Sequence, residues 1–259
     1  MLAAGAGRRL APLSRLRPKA LCPVGSVALV DHALARLASV TPTLSVNVHH
    51  GRASVEAHFA GAPGIHLSVE EPEALGTAGA LGALRPWIDG RAVLVTNADA
   101  WLAAAGREGD DGQTEPVDLR PLLDGWDGER MRLLTVADPR RGDFGPARYC
   151  GAALLPWAEV RDLAATPAGL YEARWGRAWA EGRLELIDHD GAFVDCGTPA
   201  DYLAANLQAS GGSSVVGPGA VVGAGATVER SVVWPGAVVW PGERLVDAIR
   251  AEDLTVLVR

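Results

Sequence analysis

The residues best suited to chemistry begin at the start of the chain. Near the start, Gly5 and Gly7 precede Arg9, and Lys19 follows Pro18. Glycines let backbone amides close around phosphate oxygens, while Arg9 and Lys19 can neutralise charge that grows on a departing pyrophosphate. A triphosphate attacked at its α-phosphorus needs both, a cradle for the leaving phosphates and a cation that follows them. Before Asp31 the chain holds Arg8, Arg9, Arg15, Arg17 and Lys19 and no acidic residue, although the whole chain carries a net charge of −7. In an acidic protein such a local excess marks a small anion site rather than a basic field. As a dinucleotide fingerprint the loop fails, because Leu10 stands where a third glycine belongs.

Strands and helices must position these groups. Leu29, Val30, Ala33, Leu34 and Leu37 form a helical stripe, and Leu44 to Val48 reads as a strand. The spacing predicts a helix over 52–59, a strand over 65–69, a helix over 78–84 and a buried strand over 92–96 that ends at Asn97-Ala98-Asp99. Strand and helix alternate, which predicts an α/β fold with a mostly parallel sheet and helices on both faces. Ligands of such sheets collect beyond the carboxyl ends of the strands, where Gly5 to Arg9 and Asp99 can meet. Residues 104–118 read as a polar surface excursion, 131–136 and 149–155 as further strands, 171–180 as an aromatic amphipathic segment, and 199–207 as a helix opened by Pro199.

From Gly211 a period of about six residues takes over: Val216-Gly-Pro-Gly-Ala, Val222-Gly-Ala-Gly-Ala, Val228, Val233-Trp-Pro-Gly-Ala and Val239-Trp-Pro-Gly. The chain therefore reads as a catalytic domain over 1–210 and a short left-handed hexapeptide β-helix over 211–259. The step from Val228 to Val233 is one residue short and predicts an irregular corner. So few coils need a partner surface, on the main domain or on another subunit, and Trp234 and Trp240 offer a homo-oligomer contact.

Taken whole, Leu2-Ala-Ala-Gly5-Ala-Gly7-Arg8-Arg9-Leu10-Ala-Pro12-Leu13-Ser14 followed by Arg17-Pro18-Lys19-Ala20-Leu21 and Pro23-Val24 resembles the opening signature of the sugar-phosphate nucleotidyltransferase family. Three further segments continue the resemblance: Leu75-Gly76-Thr77-Ala78-Gly79-Ala80-Leu81, Thr96-Asn97-Ala98-Asp99, and Asp195-Cys196-Gly197-Thr198-Pro199-Ala200-Asp201-Tyr202. It implies a Rossmann-like domain that makes an NDP-sugar and pyrophosphate from an NTP and a sugar 1-phosphate. Arg9 and Lys19 are then the catalytic cations. Leu2, Ala3, Gly5, Gly7, Gly76, Thr77, Ala78, Gly79 and Asn97 bind the nucleotide, and Asp99 and Asp195 bind Mg²⁺. On the sugar-phosphate side Gly151 lets the sugar approach the backbone, and Glu172 is either an exposed helix residue or the partner of a sugar hydroxyl. The Glu-Lys-Pro of many members is absent, so either Arg140, Arg141 or Arg148 takes over its lysine's phosphate contact or the three belong to an exposed basic loop. Asn47, His49 and His50 are similar to a V-N-x-H-H of the mannose-phosphate guanylyltransferase and muramate-phosphate uridylyltransferase branches, with a structural role favoured. Family members open with an apolar strand before this loop, and here Met1 replaces almost all of it, so either the start is assigned too late or the central strand is shortened.

Composition limits the alternatives. Cys22, Cys150 and Cys196 are widely spaced and form no C-x-x-C pair, which disfavours a disulfide framework or thiolate zinc site and fits a reducing, cytoplasmic setting. No run of about 18 apolar residues suggests a membrane span, and the acidic net charge excludes phosphate-led nucleic-acid binding. Two rivals to the transferase are a non-catalytic sensor homologue, disfavoured by retention of Arg9, Lys19, Asp99 and Asp195, and an acyltransferase built on the repeat, disfavoured by its few coils.

Overall fold

The computed structural model describes residues 1–105 and 117–258. The excursion expected over 104–118 falls for the most part outside the described residues. The chain forms two compact units, the first made of Met1–Gly5, Ala33–Ala98 and Val117–Asp190, the second of Ala6–His32, the stretch that begins at Asp99, and Gly191 onward.

In the first unit, strand Leu44–Val48 lies parallel to strand Ile65–Val69, with Leu44 opposite Ile65 and Val48 opposite Val69, and helix Arg52–His58 makes the crossover. Leu2 bridges in parallel to both Asn47 and Asn97, so the chain start stands between two parallel strands. It contributes that single bridging residue. The Met1 ammonium donates to the Ser45 carbonyl at 2.6 Å, and burial pushes it down to about 5. A pocket of about 260 Å³ opens beside it, lined by Leu44, Leu81, Trp87, Val93 and Leu154 among others.

The second sheet of this unit corrects the expectation of a mostly parallel arrangement. Its order is Val93–Thr96, Ala147–Leu155, Met131–Ala137, Leu184–Asp188. The first two pairings are antiparallel and only the last is parallel. A parallel crossover needs roughly a dozen residues or more. The turn-rich segment 138–146 is too short for that and folds Ala147–Leu155 back as a hairpin partner. Helix Gly76–Ile88 covers the sheet with Ala78, Leu81, Leu84 and Ile88, which pack with Val95, Met131, Leu133, Ala153 and Leu155. Its glycines serve close packing. A Cβ on Gly79 would lie 2.2 Å from the Thr166 carbonyl oxygen, and one on Gly82 2.2 Å from that of Ala164.

In the second unit, strands Ala100–Ala103 and Ala192–Asp195 pair antiparallel, with Ala100 opposite Asp195. Beyond Gly211 the aliphatic repeat pairs in parallel: Val215 with Val232 and Val232 with Ile249, Val221 with Val238, Thr227 with Arg244. Each step is 17 residues, one fewer than three hexapeptides, and the shortfall falls where the sequence predicts it. Arg230 takes φ 42° and Asp247, one step on, φ 48°. The Arg230 guanidinium donates to both Asp247 carboxylate oxygens at 2.8 and 2.6 Å. An antiparallel pair, Ala248–Ala251 with Leu254–Leu257, ends the run. These residues share one core with Leu10, Leu13, Cys22, Leu29, Trp101 and Tyr202. Trp234 therefore cannot serve as a subunit contact: it is 1% exposed and donates to the Tyr202 hydroxyl at 2.9 Å. Trp240 is 61% exposed.

Among the described residues no helix is long and apolar enough to cross a membrane. The three cysteines are free and buried, and burial pushes the thiols of Cys22 and Cys150 up to about 12 and raises that of Cys196 as well.

Candidate active site

The second unit assembles the charged cluster. Register sets it up: Asp195 ends one strand opposite Ala100, and Asp99 immediately precedes the other, so both carboxylates emerge at the same end of the ladder. The Cys196 amide donates to the Asp99 carbonyl at 3.3 Å and ties the two turns. Lys19 opens a short turn after Pro18, and its ammonium donates to Asp99 Oδ2 at 2.8 Å and Asp195 Oδ1 at 3.3 Å. Burial opposes the Lys19 charge, but the two carboxylates outweigh it and hold the ammonium above the ordinary lysine value. Its side chain is 8% exposed, against 39% and 33% for Asp99 and Asp195.

Gly7 has φ 60°, and a Cβ there would sit 3.0 Å from the Lys19 Cβ, so both backbone conformation and space call for glycine. The turn Arg8–Leu10 follows at once. The Arg9 guanidinium reaches Asp195 Oδ2 at 3.5 Å and is otherwise exposed to solvent. Gly197 keeps room for it, since a Cβ at that position would come within 2.9 Å of a guanidinium nitrogen. Thr198 caps helix Pro199–Ala209 by accepting from the Asp201 amide at 3.1 Å, with Pro199 in the first turn, and so fixes the exit from Asp195. The sequence therefore names all four charged members of this cluster.

The same cluster tests a divalent ion. Two carboxylate oxygens converge on one cationic centre, here the Lys19 ammonium. Mg²⁺ takes oxygen ligands, commonly from one or two carboxylates, and completes its shell with water and phosphate oxygens. Asp99 and Asp195 fit that mode. No cluster of three or more potential ligand side chains occurs among the described residues.

The first unit holds the remaining nucleotide candidates. Leu2 donates to the Thr96 carbonyl at 2.8 Å and accepts from the Ala98 amide at 2.9 Å. The Ala3 amide donates to Asn47 Oδ1 at 2.7 Å. A Cβ on Gly5 would meet nothing within 4 Å, so no neighbouring side chain or backbone requires glycine there. Gly76 has φ 68° and abuts the Ala168 carbonyl, which accepts from the Ala78 amide at 2.9 Å and the Gly79 amide at 3.4 Å. The Thr77 hydroxyl accepts from the Leu170 amide at 2.7 Å. In this structure Ala78 and Gly79 are thus occupied by the 166–168 backbone, and Gly76 is the exposed member of the set. The Asn97 amide donates to the Gly151 carbonyl at 2.8 Å, and Gly151 has φ 97°, a conformation that favours glycine.

The sugar-side candidates are less closely gathered. Arg148 pairs with Asp138 at 3.5 Å, Arg140 and Arg141 are exposed, and Glu172 is exposed on the turn Tyr171–Trp175, where it lies over Gly169. Sequence reasoning missed two residues. Arg36, 1% exposed, donates to the Thr96 hydroxyl and the Asn97 carbonyl, each at 3.4 Å, and so braces the strand end before Asp99. Glu70, also 1% exposed, accepts from Asn47 and from the Leu75 amide. Followed by Glu71 and Pro72, Glu70 reads as a solvated turn, and only its burial sets it apart.

Comparison with known proteins follows this geometry. The family model described as "Nucleotidyl transferase" matches residues 1–108. The N-acetylmuramate alpha-1-phosphate uridylyltransferase of Caulobacter vibrioides is 31% identical over 240 residues, which span 80% of this chain and 95% of that protein. The chain belongs to the sugar-phosphate nucleotidyltransferase family. The enzyme is accordingly a sugar-1-phosphate nucleotidyltransferase. The bifunctional protein GlmU of Alkalilimnicola ehrlichii is 34% identical over 207 residues, which span 75% of this nucleotidyltransferase and 40% of that larger protein. A Thermus thermophilus structure described as a mannose-1-phosphate geranyltransferase aligns with a TM-score of 0.72 over 99% of this chain and 93% of that one. At 19% identity it speaks for the fold.

Proposed function

We propose that this enzyme transfers a uridylyl group from UTP to an N-acetylmuramate-type α-1-phosphate, with release of pyrophosphate. The observation that carries the reaction type is the convergence of Asp99 and Asp195 on the Lys19 ammonium. The choice of base and sugar rests on the Caulobacter relative, which is matched over nearly its whole length. In the reaction an oxygen of the sugar phosphate attacks the α-phosphorus. The bond from that phosphorus to the oxygen bridging to the β-phosphate breaks, and the electron pair leaves on pyrophosphate. Such transfer asks little covalent help of a protein and depends on alignment and charge screening.

Each residue has a part in that scheme. Leu2, Ala3, Gly5, Gly76 and Asn97 hold the nucleotide, with Gly5 open to a close approach by phosphate. Gly7 shapes the turn that presents Arg9, and Arg9 and Lys19 screen the charge that gathers on the leaving pyrophosphate. Asp99 and Asp195 hold Mg²⁺, which when bound neutralises phosphate charge and orients its oxygens. Thr77, Ala78 and Gly79 act indirectly, by fixing the start of their helix. Gly151 and Arg148 face the sugar phosphate, and Glu172 a sugar hydroxyl. These residues all fall within 1–210. The ladders beyond Gly211 form a left-handed hexapeptide β-helix that shares a core with Leu10, Leu13, Cys22 and Tyr202, and the enzyme works in the cytoplasm.

Pyrophosphate release with Mg²⁺, measured across a matrix of NTPs and sugar 1-phosphates, tests the proposal. UTP with N-acetylmuramate 1-phosphate should give the highest rate, and Asp99→Asn should abolish it. Preference for GTP and mannose 1-phosphate would overturn the substrate assignment. A folded chain that releases pyrophosphate from no pair would overturn the reaction itself.

A further inference from the structure

Two buried side chains join the two backbone segments assigned to the nucleotide, and nothing in the reaction itself requires them. Asn47, 2% exposed, sits near the end of strand Leu44–Val48, and Glu70, 1% exposed, immediately follows its parallel partner strand. Asn47 Oδ1 accepts from the Ala3 amide at 2.7 Å. Asn47 Nδ2 donates to Glu70 Oε1 at 2.6 Å, and Glu70 Oε2 accepts from the Leu75 amide at 2.7 Å. The Asn47 orientation is set by chemistry, since a backbone N–H must face its oxygen and a carboxylate must face its NH₂. Further bonds pin Glu70: its amide donates to the Val48 carbonyl at 2.9 Å and its carbonyl lies 2.8 Å from His49 Nδ1. Among the described residues no cation pairs with the Glu70 carboxylate.

A buried carboxylate without a cation is costly and persists only where its hydrogen bonds are complete. A strand-to-strand tie could be made more cheaply by two apolar side chains. What a carboxylate and an amide add is two acceptors, one for the Ala3 N–H and one for the Leu75 N–H. We propose that Asn47 and Glu70 form a positioning couple that sets the separation of the Leu2–Gly5 loop and the start of helix Gly76–Ile88, and thereby governs nucleotide affinity. This rests on the assignment of those two segments to the nucleotide.

The polarity of the relay makes a sharp test. In Glu70→Gln an NH₂ faces the Asn47 NH₂ or the Leu75 N–H, or, with Asn47 turned over, the Asn47 NH₂ faces the Ala3 N–H, so two donors oppose each other in every arrangement. In Asn47→Asp a second carboxylate faces Glu70. The double change Asn47→Asp with Glu70→Gln reverses only the middle bond. The introduced aspartate then accepts from the Ala3 amide and from the NH₂ of the introduced glutamine, while the glutamine oxygen accepts from the Leu75 amide. Net charge is unchanged.

The experiment measures UTP dissociation by calorimetry, KM for UTP and for the sugar phosphate separately, and the melting temperature, for wild type, both single variants and the double. Each single variant should weaken UTP binding by about 10- to 100-fold, the cost of an opposed buried donor or acceptor. KM for the sugar phosphate should stay within about threefold. The double variant should recover UTP binding to within about threefold of wild type. A Glu70→Gln protein that folds and binds UTP within twofold of wild type overturns the proposal. So does a double variant that melts like wild type yet binds UTP as weakly as a single. Where the singles do not fold, a double variant that folds and binds UTP normally supports the couple, and one that does not fold refutes it. Loss of UTP binding in the wild type would instead overturn the proposed function, while the pattern of melting temperatures would still report on the couple.

Discussion

Replacing Lys19 with methionine keeps an unbranched side chain one atom shorter and removes its charge, with opposite consequences for metal binding and for turnover. The ammonium lies 2.8 Å from Asp99 Oδ2 and 3.3 Å from Asp195 Oδ1, so those two oxygens are at most 6.1 Å apart, the sum of the two distances. Unit charges about 6 Å apart repel by ~3 kcal/mol at an effective dielectric of about 20, and by less than ~1 kcal/mol in water. Both carboxylates are a third or more exposed, at 39% and 33%, which favours the lower figure. Without the lysine about 1 kcal/mol of repulsion is unmasked, and a divalent ion relieves it. Mn²⁺ binding to the nucleotide-free variant, followed by its electron spin resonance signal, should therefore tighten by about fivefold. Turnover should fall by about 10²- to 10³-fold, the usual cost of removing one group that meets developing charge.

The pH behaviour follows from the sign of the Lys19 shift. Its folded value is raised, so its contribution is fully present below the ordinary lysine value and is lost only as pH rises through the folded one. The ratio of wild-type to variant turnover should be flat from about pH 6 to 9. Turnover within threefold of wild type in a folded variant, or weaker Mn²⁺ binding, would refute this account of the cluster.

Three further outcomes are expected away from the chemistry. Gly82→Ala puts a methyl 2.2 Å from the rigid Ala164 carbonyl, so despite the better helix propensity of alanine it should cost about 1–3 kcal/mol in chemical denaturation. Tyr202→Phe removes a fully buried hydroxyl that donates to the Pro23 carbonyl and accepts from Trp234 Nε1, and should cost about 1–3 kcal/mol in the same assay. Burial holds all three thiols well above their ordinary range, so a thiol reagent at pH 8 should leave the native protein unmodified and label Cys22, Cys150 and Cys196 after denaturation.

Much of the candidate site was legible in the residues because its parts are local. A positive-φ glycine before a basic turn, a lysine after proline, and an aspartate at a strand end are each set within a few positions. Register then brings Lys19, Asp99 and Asp195 to a single centre. The short step at Val228 to Val233 was legible for the same reason, and Arg230 takes the strained corner. Sheet direction was not. Alternating strands and helices suggest parallel pairing, but the short link over 138–146 turns Ala147–Leu155 back on its neighbour.

Burial was hidden too, and it changed several assignments. Trp234 and Trp240 occupy equivalent repeat positions, yet one lies in the core against Tyr202 and the other faces solvent. Glu70 and Glu71 are adjacent acids, and only the first is enclosed, with its oxygens met by Asn47 and Leu75. The sequence by itself determined the family, the charged residues and the periodic tail, because short-range patterns of glycine, charge and aliphatic spacing carry them. Tertiary structure alone decided which polar groups are removed from water and which distant backbone amides they must satisfy, because that depends on contacts between segments far apart in the chain.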